Sequence, residues 1–315
     1  MGKHMSARSL RERYIRVFVN LERYPDWIAW CIVGFYILQI GVAFWIGTHL
    51  LSTGVGPWEA VAIIGLMFFI GTRLRGLNNI VHECSHATFA VHRQTNVIIG
   101  KLCSALTLGS YTAYRHEHLS HHQHVGDYGR DLDLQGIEPL GLHDPLTPRV
   151  ILRHVFTPLV LRHLPYYLNV DLSGRDGRFF QVLKFAFLGA IVFLIIQFPL
   201  PMALFAVLPY VTMFTALNYW ADCLDHAGLI ETDDDLESSR NVLAPKVLSW
   251  LLFPRNDGYH LVHHLFPNVP ARHLATAHNA LLDDPVYQTM PNAVGGLQLR
   301  PERAAPKAGF AESEI

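Results

Sequence analysis

Four long apolar runs constrain the fold of this chain more than any other feature of its sequence. Residues 27–48 are 22 consecutive positions without a charge, enough for a helix to cross about 30 Å of hydrocarbon. Further runs cover about 58–75, 179–198 and 200–220, and Lys184 lies near an end where its side chain can reach the interface. Only 16% of the 315 residues are charged, against roughly 25% in a typical soluble domain. The sequence therefore predicts an all-α integral membrane protein with four transmembrane helices.

The distribution of Lys and Arg predicts how these helices are oriented. The links near residues 50–57 and 198–201 contain neither, whereas the N-terminal arginines and nearly all later basic residues lie outside those links. We therefore expect two helical hairpins in an inner or cytoplasmic membrane, with both termini in the cytosol. The fairly apolar segment 95–114 is expected to be re-entrant or interfacial, because a single crossing there would separate the motifs that precede and follow it.

Composition predicts one membrane domain over residues 1–290 and a loose C-terminal tail over 291–315, which is rich in Ala, Pro, Gly and charge. The four cysteines fall in or beside apolar segments, without the regular spacing of a disulfide framework. A net charge of −1 and the lack of a basic stripe with interleaved aromatic residues argue against nucleic acid as a partner.

Three histidine clusters lie between the apolar runs. They are His82-Glu83-Cys84-Ser85-His86, His118-Leu119-Ser120-His121-His122 and His260-Leu261-Val262-His263-His264. Residues three or four apart share a helical face, so each cluster can direct its imidazoles to one side. Eight imidazoles exceed the roughly four ligands that one zinc ion takes, which predicts a dinuclear metal site in a cytosolic helical cap. Imidazole binds iron, copper, nickel and zinc, so ligand type leaves the metal open.

Additional candidate ligands lie beside these clusters. His226 stands four residues after Asp222, where the last apolar run would leave the bilayer, and we expect it to be a ninth ligand. Asp222 and Asp225 are candidates to bind metal directly or through water, or to orient His226. His116 and His124 flank the second cluster as supports or alternative ligands. No separate side chain is assigned as a catalytic acid or base.

The first cluster also reads as HExxH, the zinc metalloprotease pattern in which Glu83 would be the general base. This is the weaker alternative, because nothing in such a protease requires two further HxxHH arrays. A passive metal-binding protein is a third alternative, and it predicts no oxygen consumption.

The three clusters, together with the segments 239–242 (SRNV) and 259–270 (YHLVHHLFPNVP), resemble the membrane fatty acid desaturase and hydroxylase family over about residues 25–285. The resemblance implies four membrane helices under a cytosolic cap that holds two iron ions, with dioxygen as co-substrate. It also implies that zinc can replace iron in overexpressed protein. The implied ligands are His82, His86, His118, His121, His122, His226, His260, His263 and His264.

The same resemblance implies oxygen-dependent desaturation of an alkyl or acyl chain, with a hydroxylase or an acetylenase as the alternatives. The sequence has no HPGG-type haem-binding segment, so electrons are expected from an external carrier such as ferredoxin. Acyl lipid, acyl carrier protein and acyl-CoA are the candidate carriers of the chain, in contact with surrounding membrane lipids. Asp222 argues against an acyl-CoA substrate, since some family members that act on acyl-CoA have Asn at the corresponding position. Candidate liners of an apolar substrate tunnel are Leu77, Phe89, Phe214 and Leu217.

Overall fold

A computed structural model describes residues 3–230, 237–288, 290–293 and 295. The described chain is helical, as expected, apart from turns and one isolated bridge between Tyr24 and Ala90. Most of the predicted C-terminal tail lies outside these residues. The helices are α1 (Lys3–Phe18), α2 (Asp26–Thr53), α3 (Pro57–Ser85), α4 (Arg93–Leu106), α5 (Tyr111–His124), α6 (Pro148–Leu159), α7 (Leu164–Tyr167), α8 (Arg178–Gln197), α9 (Pro199–His226), α10 (Lys246–Leu252), α11 (His260–Leu265), α12 (Leu274–Leu281) and α13 (Pro285–Gln288).

Helices α2, α3, α8 and α9 are long and apolar enough to cross a membrane, which confirms the predicted number. They contain 28, 29, 20 and 28 residues, and 20 residues already span about 30 Å. Only 6% of the apolar window of α8 is buried within the chain. Such an outward-facing apolar surface fits hydrocarbon and is unfavourable in water.

Two of these helices are longer than the apolar runs predicted. Helix α3 continues to Ser85 and α9 to His226, so both carry histidines of the predicted site. The extensions are polar, yet they are stable as helix because other parts of the chain bury them. Asn79 of α3, for example, is buried and donates a hydrogen bond of 2.8 Å to the carbonyl of Pro254.

Helix α9 is irregular where it approaches the site. Its segments Ala203–Val207 and Pro209–Phe214 are π-helical, and Pro209 lacks the N–H that a regular helix would use. Wider π turns rotate the residues that follow and are frequent at functional sites. Tyr210 and Phe214 consequently line a cavity beside the histidines.

The segment between the first two clusters forms two helices joined by a turn. Helix α4 has 14 residues and is therefore about 21 Å long, shorter than the hydrocarbon thickness. The chain then reverses through Leu108, whose φ is 58°, and enters α5. This turn brings the second histidine cluster back to the end of α3 that carries the first.

The third cluster is held in a small core of its own at the same end of the molecule. Leu261, Val262 and Leu265 of α11 are buried against α12 and against Phe18 of α1. The guanidinium of Arg11 donates hydrogen bonds to the carbonyls of His264 and Leu265. The N-terminal helix thus covers the cap that α11 and α12 form.

Candidate metal centre

Helical spacing divides the histidines into two groups. The five-histidine group is His82, His86, His118, His122 and His263, and the four-histidine group is His121, His226, His260 and His264. Within each group, the candidate ligand atoms lie within 4.8 Å of one another. The structure thus brings all nine expected histidines together, but around two centres and not around one.

The division follows from the angular positions of residues on a helix. Positions i and i+4 are about 40° apart, so His118 and His122 stay together, as do His260 and His264. Position i+3 lies about 60° to the other side, so His121 and His263 each reach the opposite group. Each HxxHH array therefore contributes to both groups and fixes the distance between them.

Ring nitrogens converge inside each group. In the five-histidine group, Nε2 of His82 is 2.7 Å from that of His263, and Nε2 of His86 is 3.0 Å from that of His118. In the other group, Nε2 of His260 is 3.0 Å from the Nε2 atoms of both His226 and His264.

These short distances suit a cation at the centre of each group. Burial lowers the pKa of five of the rings well below the ordinary value, and neighbouring imidazoles lower it further; they are His118, His122, His260, His263 and His264. These five rings are therefore neutral, and each has one bare nitrogen. A proton bridges only two such nitrogens, whereas a metal ion accepts lone pairs from all of them. The donor set thus fits two metal ions.

The outer nitrogens show which tautomer the rings adopt. Nδ1 of His121 is 2.7 Å from a carboxylate oxygen of Asp131, and Nδ1 of His226 is 2.8 Å from the carbonyl oxygen of Ser238. Both acceptors require the proton on Nδ1, which leaves Nε2 free to bind a metal. Burial acts to lower the pKa of His121, but the hydrogen bond and charge of Asp131 outweigh it and raise the pKa.

Asp131 and Asp133 are site residues that sequence reasoning missed. A carboxylate oxygen of Asp133 lies 3.4 Å from Nδ1 of His118, on the outer side of the five-histidine group. Desolvation raises the pKa of Asp133 to about 7. Both acids lie in the turns that follow α5, where the Asp131 side chain accepts hydrogen bonds from the backbone N–H groups of Asp133 and Leu134, and the only available signal was their closeness in sequence to a histidine cluster.

The other candidates lie outside the two groups. Asp222 accepts a hydrogen bond of 2.7 Å from the hydroxyl of Tyr167. Asp225 has one carboxylate oxygen 3.6 Å from Nδ1 of His260 and another, buried, without a hydrogen bond. His116 is exposed and His124 partly exposed. Each is two positions from the nearest cluster histidine, which turns it away from the site.

Glu83, the candidate base of the HExxH reading, is held by an arginine. Arg255 donates from Nε to one carboxylate oxygen at 2.7 Å and from its terminal nitrogen to the other at 3.0 Å. Both side chains are largely buried. A general base must reach the proton that it removes, and both oxygens of Glu83 are already occupied. The arrangement fits a structural ion pair that joins α3 to the segment before α11.

A cavity of about 220 Å³ lies beside the metal centre. Five of the nine histidines border it, namely His82, His118, His121, His226 and His260. Of the four expected tunnel liners, only Phe214 lines it. Leu77 and Phe89 are buried in the core between helices, and Leu217 lines a separate apolar cavity of about 310 Å³ that none of the nine histidines borders. The substrate path predicted from apolar residues is therefore different from the cavity present.

The sequence profile of the fatty acid desaturase family matches residues 56–291. This chain belongs to that family. Its relatives include the dihydrorhizobitoxine desaturase of Bradyrhizobium elkanii, which is 28% identical over 76% of this chain and 73% of the relative. The fatty acid desaturase of Bacillus subtilis is 27% identical over 63% and 62%. The sn-1 acyl-lipid omega-3 desaturase (ferredoxin) of Synechocystis is 24% identical over 81% and 79%.

Membership in this family identifies the chain as an oxidoreductase. The two histidine groups are compatible with the metal site of such an enzyme. The profile begins after α2 and includes the three clusters and His226. Asp131 and Asp133 also fall within it.

Proposed function

We propose that this chain is an integral membrane desaturase that introduces a double bond into an alkyl or acyl chain. Dioxygen is the oxidant and an external redox protein supplies the electrons. The observation that carries this proposal is the pair of histidine groups, in which nine imidazoles direct ring nitrogens to two centres beside one cavity. Such a ligand set, without a bound carboxylate, suits redox metals as well as zinc.

We assign two iron ions to these groups. When bound, they would reduce dioxygen with two external electrons and two protons from solvent, so that two C–H bonds break, a C=C bond forms and two molecules of water are released. The protein's own contribution is to keep the rings neutral and correctly oriented. Asp131 and the Ser238 carbonyl hold the outer protons of His121 and His226, and thereby direct both Nε2 atoms inward.

Membrane placement follows from the four long apolar helices. The histidine-bearing ends of α3 and α9 meet at one end of the molecule, so one membrane face would carry the site. The links near 50–57 and 198–201 lack Lys and Arg, which assigns them to the non-cytosolic side. We infer that the site faces the cytosol of an inner or cytoplasmic membrane. A cytosolic ferredoxin can reach it there, and one relative carries ferredoxin in its name.

Co-expression with a ferredoxin and its reductase, followed by untargeted lipid and metabolite profiling, tests this function. We expect a product two hydrogens lighter than its precursor, about two irons per chain, and loss of the product in His263→Ala. His116→Ala is the matched control, because His116 is exposed and outside both groups. Iron spectroscopy or activity must accompany metal analysis, since overexpressed protein can take up zinc.

The rival functions predict different results in the same experiment. Labelled dioxygen incorporated into the product would identify a hydroxylase, and a triple bond an acetylenase. One zinc per chain without iron, together with peptide cleavage, would identify a protease. Metal binding without oxygen consumption in the presence of reductant and substrate would identify a metal-storage protein. Any of these results would refute the desaturase proposal.

A further inference from the structure

The cavity beside the metal centre is polar, although an acyl tunnel should be apolar. Of its 27 lining residues, only five have pure hydrocarbon side chains: Val81, Leu134, Ile137, Phe214 and Ala221. Another five carry carboxyl groups: Glu117, Asp133, Asp222, Asp225 and Asp257. A long alkyl chain gains its binding energy by leaving water for apolar surface. Most of this lining offers an alkyl chain no apolar surface.

The other cavities do not provide an apolar route to the metals. Within the described residues, a space of about 20 Å³ touches His82, His260 and His263, and it is too small for a substrate chain. The apolar cavity of about 310 Å³ and a further cavity of about 790 Å³ are bordered by none of the nine histidines. A molecule that reaches the centre through a cavity of this structure must therefore occupy the polar one.

Several polar groups in the cavity have no partner within the described part of the chain. The side chains of Asn78, Asn169 and Glu117 make no hydrogen bond there, and one buried oxygen of Asp225 is also unpartnered. Asp225 is only 3% exposed. Because buried polar groups are nearly always hydrogen-bonded, the unpartnered oxygen of Asp225 is suited to a polar ligand. The half-exposed Asn78 and Glu117 and the exposed Asn169 can bind such a ligand without breaking a hydrogen bond within the described chain.

The charge of the lining favours a cation. Among the described residues, Arg75 is the only Lys or Arg that borders the cavity, and it pairs with Asp257 and donates to Asn218. Asp133 and Asp225 face histidines and balance metal charge. Glu117 faces no imidazole and no arginine at hydrogen-bond distance. The carboxylate of Glu117 is therefore available to bind a ligand.

On these observations, and resting on the proposed function, we propose that the substrate is a small polar molecule with an ammonium group beside a short alkyl chain. Glu117 would accept the ammonium hydrogen bonds, and Asn78 and Asn169 would bind other polar groups. The reaction is the one proposed above, so the two hydrogens removed leave adjacent carbons of that short chain. Fatty acids and acyl carriers, which bring carboxylate or phosphate charge, are disfavoured by this lining.

Binding to the full, metal-loaded chain in nanodiscs tests the proposal without turnover. The probes are hexylamine, hexanol, hexanoate and stearoyl phosphatidylcholine, titrated by calorimetry. We expect hexylamine to bind about tenfold more tightly than hexanol, and hexanoate to bind least, as a charge-assisted hydrogen bond requires. Glu117→Gln should abolish the preference for the amine. Asp283→Asn, which removes an exposed carboxylate away from the cavity, should leave it intact.

The results separate the substrate class from the reaction. Hexanol binding as tightly as hexylamine, or Glu117→Gln retaining the preference, would overturn the ammonium site. Double bonds found only in lipid acyl chains would also overturn it, while the desaturase proposal stands. Selective amine binding by a chain that consumes no oxygen would support the site and refute the desaturase proposal.

Discussion

The two histidine groups differ in both ligand number and surroundings. Five imidazoles meet in one group and four in the other. Two of the five border the cavity, His82 and His118, against three of the four, His121, His226 and His260. The smaller group is therefore the more open to the cavity. Sites that exchange a ligand keep an open position, while closed sites are structural.

The hydrogen bonds that orient the histidines from outside also differ between the two groups. His121 and His226 of the four-histidine group have acceptors at 2.7 and 2.8 Å. In the five-histidine group, His118 faces Asp133 at 3.4 Å, a weaker contact. A centre with fewer ligands thus relies more on the orientation of each one. We infer that the five-histidine group holds its metal through ligand number, and the four-histidine group through its outer hydrogen bonds.

Removing one ligand from each group should have the largest effect and test this inference directly. His264→Ala leaves three imidazoles in its group, so we expect metal content to fall from about two ions per chain to about one. His86→Ala leaves four imidazoles, so content should stay near two with weaker affinity. Mass spectrometry of metals in purified protein is the measurement. Equal losses in the two variants would contradict the comparison.

Breaking the ion pair behind the five-histidine group should have the next largest effect. Glu83→Gln leaves Arg255 charged and unpaired in a site where the two side chains are 5% and 11% exposed. We expect the free energy of unfolding to fall by about 3–5 kcal/mol, measured by denaturation in detergent. Glu83→Gln combined with Arg255→Met should recover part of this loss. Full stability of Glu83→Gln would show that the pair does not anchor α3.

Outer carboxylates should matter more for the smaller group. Asp131→Asn weakens the acceptor of His121 and should lower metal affinity about 10- to 100-fold. Asp133→Asn is the matched control on the other group, where the longer contact predicts a smaller loss. Competition with a chelator of known affinity measures both. A larger effect of Asp133→Asn would reverse the order of the two groups.

Apolar run length was sufficient to predict the four long helices, because each run is a local property of the sequence. The helix ends were not predictable in this way. Helices α3 and α9 both continue through polar residues, and those of α3 are stabilised by distant partners, such as Asn79 with the carbonyl of Pro254 and Glu83 with Arg255. Contacts across more than 170 positions leave no periodic signal in the sequence.

The histidines were predictable as a set, whereas their surroundings were not. Imidazole clusters are rare enough to identify, but the assignment of His121 and His263 to opposite groups depends on how α5 and α11 face each other. Asp131 is one acid among 26 Asp and Glu residues, and only the fold brings it to His121. The polar cavity is likewise assembled from several helices, so of the four apolar residues predicted to line a tunnel only Phe214 borders it.

The smallest expected effect is that of protonating His278, which lies on α12 beside α11. Both groups should share it, because α11 contributes histidines to each. His278 of α12 accepts a hydrogen bond of 2.7 Å from the hydroxyl of Tyr287, and burial lowers its pKa below the ordinary 6.5. Below about pH 6.5 the unfolded chain binds a proton that the folded chain does not. Stability should therefore fall as pH decreases below that value, by at most about 1.4 kcal/mol per pH unit for this one group. Thermal melting of His278→Gln should show a shallower decline than the parent chain, with equal loss of metal from both groups; unequal loss would place the coupling in one group alone.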